Sequence, residues 1–171
     1  MWQVGDRLPE VVLTEFIDEG GEGCPVGPQA VGLVEAAAGK RVVIVGVPGA
    51  FTPTCSAKHL PGYVELASAL RAAGVDEVWC VAVNDAFVMG AWGREQRVAG
   101  AVRMLADGSA DFARAAGLTL DLAARGLGLR CQRFAAIVQD GVLLDLAVEP
   151  AGQLGVSTAA SVLERVKALK A

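Results

Sequence analysis

The chain has 171 residues, of which 53% are hydrophobic and 20% are charged, so it suits one compact domain over residues 1–171 with a full core. Its 15 Lys and Arg against 19 Asp and Glu give a formal net charge of -4, which argues against nucleic acid or anionic membranes as partners. The N-terminus lacks a basic stretch before an apolar run, and no segment reaches the roughly 20 apolar residues that span a bilayer. A soluble, cytoplasmic protein is therefore expected.

The first half of the chain predicts a strand, a sharp turn and a helix. Residues 17–38 cluster Gly and Pro, which indicates a surface excursion before the first core strand. Residues 40–47 form a β-branched apolar run typical of a strand buried on both faces, and this run ends at Pro48. From Ser56 to about residue 74 apolar residues recur at three- and four-residue spacing, which predicts a helix, with a kink at Pro61.

The second half continues the alternation of strands and helices. Residues 76–83 predict a second buried strand, residues 86–98 a short helix interrupted by glycines, and residues 102–107 a third strand. Asp140-Gly141 then supplies the turn of an antiparallel hairpin, and Ser157 or Thr158 can cap a final helix. This order predicts an α/β protein with a thioredoxin-like fold, a central mixed sheet flanked by helices.

The cysteines are too far apart in sequence to form a disulfide framework or a zinc site. Cys24, Cys55, Cys80 and Cys131 form no C-x-x-C pair, and His59 is the only histidine. Reduced thiols are expected, with no metal and no cofactor.

Cys55 lies where the predicted strand-to-helix turn delivers a residue to the N-terminus of a helix. Unpaired backbone N–H groups and the helix dipole favour an anion there, and the thiolate is the nucleophilic form of cysteine. A reactive thiol is therefore predicted, although an isolated cysteine can also be a small buried hydrophobe.

The turn reads Thr52-Pro53-Thr54-Cys55, so a hydroxyl stands where a dithiol oxidoreductase carries its first sulfur. Disulfide exchange within this turn is thereby disfavoured. A hydroxyl beside a thiolate can instead hydrogen-bond a polar substrate and hold an O–O bond in line for attack. Peroxide reduction fits this pattern.

Pro48, Thr52 and Cys55 spell P-x-x-x-T-x-x-C, which resembles the active-site pattern of peroxiredoxins. The stretches VPGAFTPTCSAKHLPGY, VNDAFVMGAWG and QRFAAIVQDG are similar to the subfamily that contains the human atypical two-cysteine enzyme and plant type II enzymes. The resemblance covers nearly the whole chain. It implies that Thr52 orients the peroxide, that Pro48 shields the thiolate, and that Arg133 activates the sulfur and stabilises the leaving oxygen.

Each of these residues also has a plainer interpretation. Arg133 could form a surface ion pair, with Arg130 a structural or secondary contact, and Thr52 could cap the helix. His59 follows Cys55 by one helical turn, so it is either a base for the thiol or a structural hydrogen-bonding residue.

The resemblance further implies that peroxide, hydrogen peroxide or an alkyl hydroperoxide, converts Cys55 to a sulfenic acid. The region that carries the resolving cysteine in the human enzyme has Ser157 instead, and Cys80, at the plant-type spacing, lies inside a predicted strand. An external thiol is therefore the expected reductant, either glutathione with glutaredoxin or thioredoxin, and a homodimer is expected by analogy.

Two other functions share the same reactive thiol. In a redox-regulated binding protein, oxidation of Cys55 would change a partner or dimer surface, and turnover would be incidental. A general disulfide oxidoreductase is disfavoured because the first cysteine of the turn is missing.

Overall fold

The computed structural model describes residues 1–18 and 26–169, which form a seven-stranded mixed sheet and a separate two-stranded sheet. The strands are β1 (Val12–Ile17), β2 (Gly27–Gly32), β3 (Arg41–Gly46), β4 (Glu77–Ala82), β5 (Arg103–Ala106), β6 (Thr119–Leu122), β7 (Gly128–Cys131), β8 (Phe134–Gln139) and β9 (Val142–Val148). The large sheet has the order β2-β1-β5-β4-β3-β8-β9, and β6 pairs with β7. Strands β3, β4 and β5 are parallel, and the other pairs are antiparallel.

Helices cover both faces of the large sheet. They are α1 (Leu33–Ala37), α2 (Leu60–Glu65), α3 (Ala67–Ala72), α4 (Ala86–Glu95), α5 (Asp111–Ala115) and α6 (Ala159–Leu169). Helices α2, α3, α4 and α6 pack on one face, and α1 and α5 pack on the other. Strand β3 contributes to the apolar cores on both faces of the sheet. Val43 and Val45 lie in the core on the side of α2, α3, α4 and α6, and Val42 and Ile44 lie in the core on the side of α1 and α5. This two-sided burial explains its uninterrupted apolar sequence.

Most of the predicted elements are confirmed. The strands expected at residues 40–47 and 76–83 are β3 and β4, and Val45 lies opposite Cys80 in their parallel pairing. The hairpin turn has positive φ at Asp140 and Gly141, as its sequence requires. The α/β class, with a central mixed sheet flanked by helices, is also confirmed. That residues 1–171 form a single domain stays a prediction.

Two of the predictions need correction. The expected excursion at residues 17–38 is wrong over much of its length, because β2 returns along β1 as an edge strand and Leu33 and Ala37 of α1 are buried. The helix at residues 86–98 is not interrupted by its glycines; α4 is continuous, and a Cβ at Gly90 would lie 2.9 Å from the Cβ of Phe16. Gly90 thus permits close packing of α4 on β1.

No helix in residues 1–18 and 26–169 is both long enough and apolar enough to cross a bilayer.

Candidate active site

Cys55 lies in the first turn of the helical path that follows β3. The path widens into a π-helical turn over Cys55–His59, in which the Leu60 N–H donates to the Cys55 carbonyl, and continues into α2. Proline has no N–H and its ring crowds the carbonyl four residues earlier, which favours a widened turn just before Pro61. The distortion predicted at Pro61 therefore occurs beside the candidate nucleophile.

The loop between β3 and Cys55 is held by specific polar contacts. The Thr52 hydroxyl donates to the Gly49 carbonyl at 2.7 Å, and the Ala50 N–H donates to Asn84 Oδ1 at 2.9 Å. Phe51 has φ of 62°, a left-handed conformation that costs a non-glycine residue energy and is common at functional sites. These contacts fix the half-buried Thr52 three residues before Cys55.

Arg133 contacts the Cys55 sulfur directly. Its Nη2 donates to Cys55 Sγ at 3.3 Å, and its Nη1 lies 2.9 Å from His59 Nδ1. Arg133 immediately precedes β8, where alternate residues face opposite sides of the sheet. Phe134 packs in the cluster on the far face, so its neighbour Arg133 is directed to the Cys55 face. The juxtaposition expected from the sequence motif is therefore present.

Cys55 is fully buried, with 0% of its surface exposed. Arg133, only partly buried, provides a positive charge that hydrogen-bonds this enclosed sulfur. Such a contact places a fixed positive charge directly beside the sulfur.

His59 is buried beside Arg133. The pKa of His59 is lowered to about 4, chiefly by burial and also by the charge of Arg133, against the opposing effects of a hydrogen bond with Ser157 and the charge of Glu149. The ring is therefore neutral at physiological pH. The contact of Nδ1 is with Arg133, which favours the structural, hydrogen-bonding interpretation over that of a base for Cys55.

Two further residues around the site are Glu149 and Ser157. Nothing in the local sequence indicates that either residue lies near Cys55 and Arg133. Ser157 is fully buried, and its hydroxyl and N–H both donate to Glu149 Oε1, at 2.9 and 2.7 Å. Thr158, the other capping candidate, accepts from the Ser161 N–H at 3.2 Å and so caps α6. Only the spatial pairing with His59, 98 residues away in sequence, reveals Ser157 as part of the site.

The remaining candidates lie around this centre. Pro48 is half-buried at the end of the β3 segment. Arg130 donates to the carbonyls of Leu127 and Val83, at 2.7 and 3.3 Å, which fits the predicted secondary contact.

From the sequence, Trp92, Phe51 and Phe134 are expected to pack around the pocket or a subunit contact, and the structure places these three aromatic residues differently. Trp92 is buried and donates to Ser56 Oγ at 3.0 Å, while Phe51 is 50% exposed. The expectation is wrong for Phe134, which is buried on the opposite face of the sheet from Cys55.

The other described cysteines are buried core residues. Cys80 and Cys131 are both 0% exposed and free, and burial raises the pKa of each thiol well above its usual value. Cys24 lies outside the described residues. Among the described residues no cluster of three or more His, Cys, Asp or Glu side chains could hold a metal ion.

Comparison with known proteins identifies the family. The Redoxin family matches residues 3–163. Peroxiredoxin-2B of Arabidopsis thaliana is 44% identical over 94% of this chain and 96% of its own length. A structure of reduced Prx3 in complex with hydrogen peroxide from Vibrio vulnificus is 44% identical, with a TM-score of 0.90 and 99% of each chain covered.

A third similar protein has a different description. A Burkholderia cenocepacia structure described as a candidate thioredoxin reductase is 63% identical, with a TM-score of 0.94 over 96% of this chain and 97% of that one.

The expected cytoplasmic location is contradicted by the relatives. Rice peroxiredoxin-2E-2 and Arabidopsis peroxiredoxin-2E, 44% and 40% identical to this chain, are both named chloroplastic. Composition and the lack of an apolar N-terminal run do not distinguish the cytoplasm from such an organelle. The cytoplasmic prediction is therefore wrong.

The fold and the relatives agree on activity. The thioredoxin-like fold is shared with the peroxiredoxin structures, and these relatives favour a peroxidase over a redox-regulated binding protein. The chain belongs to the Redoxin family and, within it, to the peroxiredoxins, the thiol-dependent peroxidases that include the plant type II enzymes.

Proposed function

We propose that Cys55 is the nucleophile that reduces hydrogen peroxide and alkyl hydroperoxides, with Arg133, Thr52 and Pro48 completing the catalytic site. The observation that carries this assignment is the hydrogen bond from Arg133 Nη2 to Cys55 Sγ at 3.3 Å. A fixed guanidinium on a buried sulfur favours the thiolate and also provides positive charge for a departing oxyanion.

In the proposed first step, the Cys55 thiolate attacks the terminal oxygen of ROOH. An S–O bond forms while the O–O bond breaks, and the sulfur is oxidised by two electrons as the peroxide is reduced. The RO⁻ fragment leaves with the O–O electron pair and takes up a proton, so the products are ROH and, after proton balance, a Cys55 sulfenic acid.

Thr52 and Pro48 shape the approach of the peroxide. The Thr52 hydroxyl hydrogen is engaged by the Gly49 carbonyl, so the hydroxyl oxygen can accept a hydrogen bond from the O–H of the peroxide. This would place the O–O bond in line with the sulfur. The half-buried Pro48 ring offers no donor and shields the thiolate from water.

The sulfenic acid is reduced by an external thiol in a one-cysteine cycle. The first thiol forms a mixed disulfide with Cys55 and releases water, and a second thiol regenerates the Cys55 thiol as a disulfide leaves. Cys80 and Cys131 are fully buried, which argues against either as a resolving residue. Glutathione with glutaredoxin, or thioredoxin, supplies the thiols, and their access requires local opening because Cys55 is itself enclosed.

The protein is also proposed to be a homodimer. Phe51 and Phe87 are large aromatic residues with 50% and 65% of their surface exposed, on the loop before Cys55 and on α4. Light scattering on the wild type, compared with Phe87→Glu, tests this proposal. A monomeric wild-type protein would contradict it.

The decisive experiment for the catalytic assignment compares wild type with Cys55→Ser. Hydrogen peroxide consumption with dithiothreitol should be lost in Cys55→Ser and retained in Cys131→Ser, a matched change of a buried thiol. Mass spectrometry of peroxide-treated wild type should show one added oxygen on Cys55. Unchanged turnover in Cys55→Ser would refute the assignment, and a disulfide to Cys24, Cys80 or Cys131 would refute the one-cysteine cycle.

A further inference from the structure

His59 connects Arg133 to the loop that follows β9. Its Nδ1 lies 2.9 Å from Arg133 Nη1, and its Nε2 lies 2.9 Å from the Ser157 carbonyl oxygen and 3.2 Å from Ser157 Oγ. The ring is 1% exposed, so no bulk water competes for either nitrogen. Both nitrogens of this buried imidazole are therefore committed to protein partners.

These two partners select one tautomer. A guanidinium has donors and no acceptor, so His59 Nδ1 must accept from Arg133. The Ser157 carbonyl can only accept, so Nε2 must carry the proton. A neutral ring protonated at Nε2 satisfies both contacts, whereas a charged ring would direct an N–H at the guanidinium.

The loop that presents the Ser157 carbonyl is itself held in place. Glu149 Oε1 accepts from the N–H groups of Gly155 and Ser157, both at 2.7 Å, and from the Ser157 hydroxyl. The Tyr63 hydroxyl donates to the same Ser157 carbonyl at 2.6 Å. Glu149 is also joined to the arginine at the backbone, because its N–H donates to the Arg133 carbonyl at 2.9 Å.

We infer that His59, held by Ser157 and Glu149, is a positioning residue that orients the Arg133 guanidinium toward the Cys55 sulfur. This inference rests on the proposed function of Cys55 and Arg133. The guanidinium is planar and rigid, so anchoring Nη1 on the imidazole fixes the direction in which Nη2 meets the sulfur. Without this acceptor, Arg133 keeps its charge but loses the constraint on its orientation.

The matched variants are His59→Asn and His59→Leu. Asn can place a carbonyl oxygen near the position of Nδ1, whereas Leu has similar size and no acceptor, and both lose the Nε2 contact with Ser157. In stopped-flow oxidation by hydrogen peroxide, His59→Leu should be about tenfold slower than His59→Asn, the effect of one hydrogen bond of roughly average strength to a charged group. Alkylation of Cys55 by iodoacetamide, measured at a single pH, should also be slower in His59→Leu than in His59→Asn.

The Arg133→Lys background provides the second measurement. Lysine has no second donor nitrogen to anchor, so the difference between His59→Asn and His59→Leu should disappear there. Equal oxidation rates and equal alkylation rates in the two single variants would overturn the inference, as would a difference that persists in the Arg133→Lys background.

Folding failure of His59→Leu would not end the test, because Ser157→Ala offers a milder change. It keeps the imidazole and the backbone contacts of residue 157, and it removes only the hydroxyl contacts with His59 Nε2 and Glu149 Oε1. In that variant oxidation should be about threefold slower and alkylation should also be slower, and wild-type rates for both would contradict the inference. The proposed function is tested separately, by the loss of peroxidase turnover in Cys55→Ser. If the His59 and Ser157 variants behave alike while the wild type remains an active peroxidase, only the positioning role of His59 is refuted.

Discussion

Cys55 and Cys80 are two thiols in one buried cluster, yet their surroundings differ in kind. Both are 0% exposed. Cys80 lies in the middle of β4 among apolar residues, and burial raises the pKa of its thiol well above the usual range. Cys55 lies in a π-helical turn and accepts a hydrogen bond from Arg133. Burial alone makes a cysteine inert, whereas burial against a fixed cation prepares it for chemistry.

The strongest test of this contrast removes the cation and makes the surroundings of Cys55 resemble those of Cys80. Arg133→Met should slow oxidation of Cys55 by hydrogen peroxide by about 100- to 1000-fold, the range seen when one oxyanion donor is lost. Alkylation of Cys55 by iodoacetamide at a single pH should also be slower. Arg130→Met is the matched control, since the hydrogen bonds of Arg130 in the described structure go to the backbone carbonyls of Leu127 and Val83 and not to Cys55. Wild-type kinetics in Arg133→Met would show that the cation is dispensable.

The second test measures the stability of the protein as a function of pH, because the titratable imidazole of His59 lies on the polar side of the Cys55 pocket. The pKa of His59 is about 4 in the folded protein against 6.5 for the free side chain, so between these values the unfolded chain binds a proton that the folded protein does not. The free energy of unfolding should therefore fall as pH drops from 6.5 to 4, by on the order of 3 kcal/mol.

Urea unfolding at several pH values checks the His59 prediction, with His59→Asn as the control that lacks this ring. Glu149, whose carboxylate is held below its usual pKa by hydrogen bonds from Gly155 and Ser157 despite its burial, contributes stability that is lost as pH falls through that lowered value. Equal losses between pH 6.5 and 4 in wild type and His59→Asn would contradict the prediction.

A third test concerns the hydroxyl that stands where a dithiol enzyme has a sulfur. Thr52→Val keeps the shape of the side chain but removes the hydroxyl, and it should slow peroxide oxidation of Cys55 by about tenfold, the effect of one lost hydrogen bond of about 1.4 kcal/mol. Thr52→Ser should stay near the wild-type rate. If the Val and Ser variants react alike, the hydroxyl has no role in holding the peroxide.

The smallest effect is expected at Cys80. Cys80→Ala should leave turnover with glutathione and glutaredoxin, or with thioredoxin, unchanged, while the free energy of unfolding falls by about 1 kcal/mol through lost packing. Peroxidase assays and urea unfolding measure the two effects. Loss of turnover with a physiological reductant in this variant would mean that Cys80 takes part in the cycle, and the contrast between the two cysteines would fail.

Much of this architecture could be predicted from local patterns. The apolar runs of β3 and β4 and the Asp140-Gly141 turn each carry their signal within a few residues. The pairing of Arg133 with Cys55 could be expected because the motif around Cys55 resembles a family in which such an arginine is known.

The parts that could not be predicted depend on long-range packing. β2 lies in a Gly- and Pro-rich segment whose composition indicates a loop, and only its pairing with β1 makes it a strand. Ser157 contacts His59, and Glu149 in turn holds Ser157, in a loop whose conformation the local sequence does not specify. Subcellular location is not a property of the folded core, so composition could not settle it.

Gly46 has a consequence for the position of Arg133, the proposed catalytic arginine. It pairs with Phe134, and a Cβ on Gly46 would lie 2.0 Å from the Phe134 ring, so the ring occupies the space left by the missing side chain. A slip of one residue between β3 and β8 would exchange the two faces, sending Arg133 into the apolar layer and the phenyl ring toward the sulfur. The packing of the Phe134 ring against Gly46 therefore helps to fix the register of β3 and β8. Through that register, a structural contact on the far face of the sheet places the Arg133 guanidinium beside Cys55.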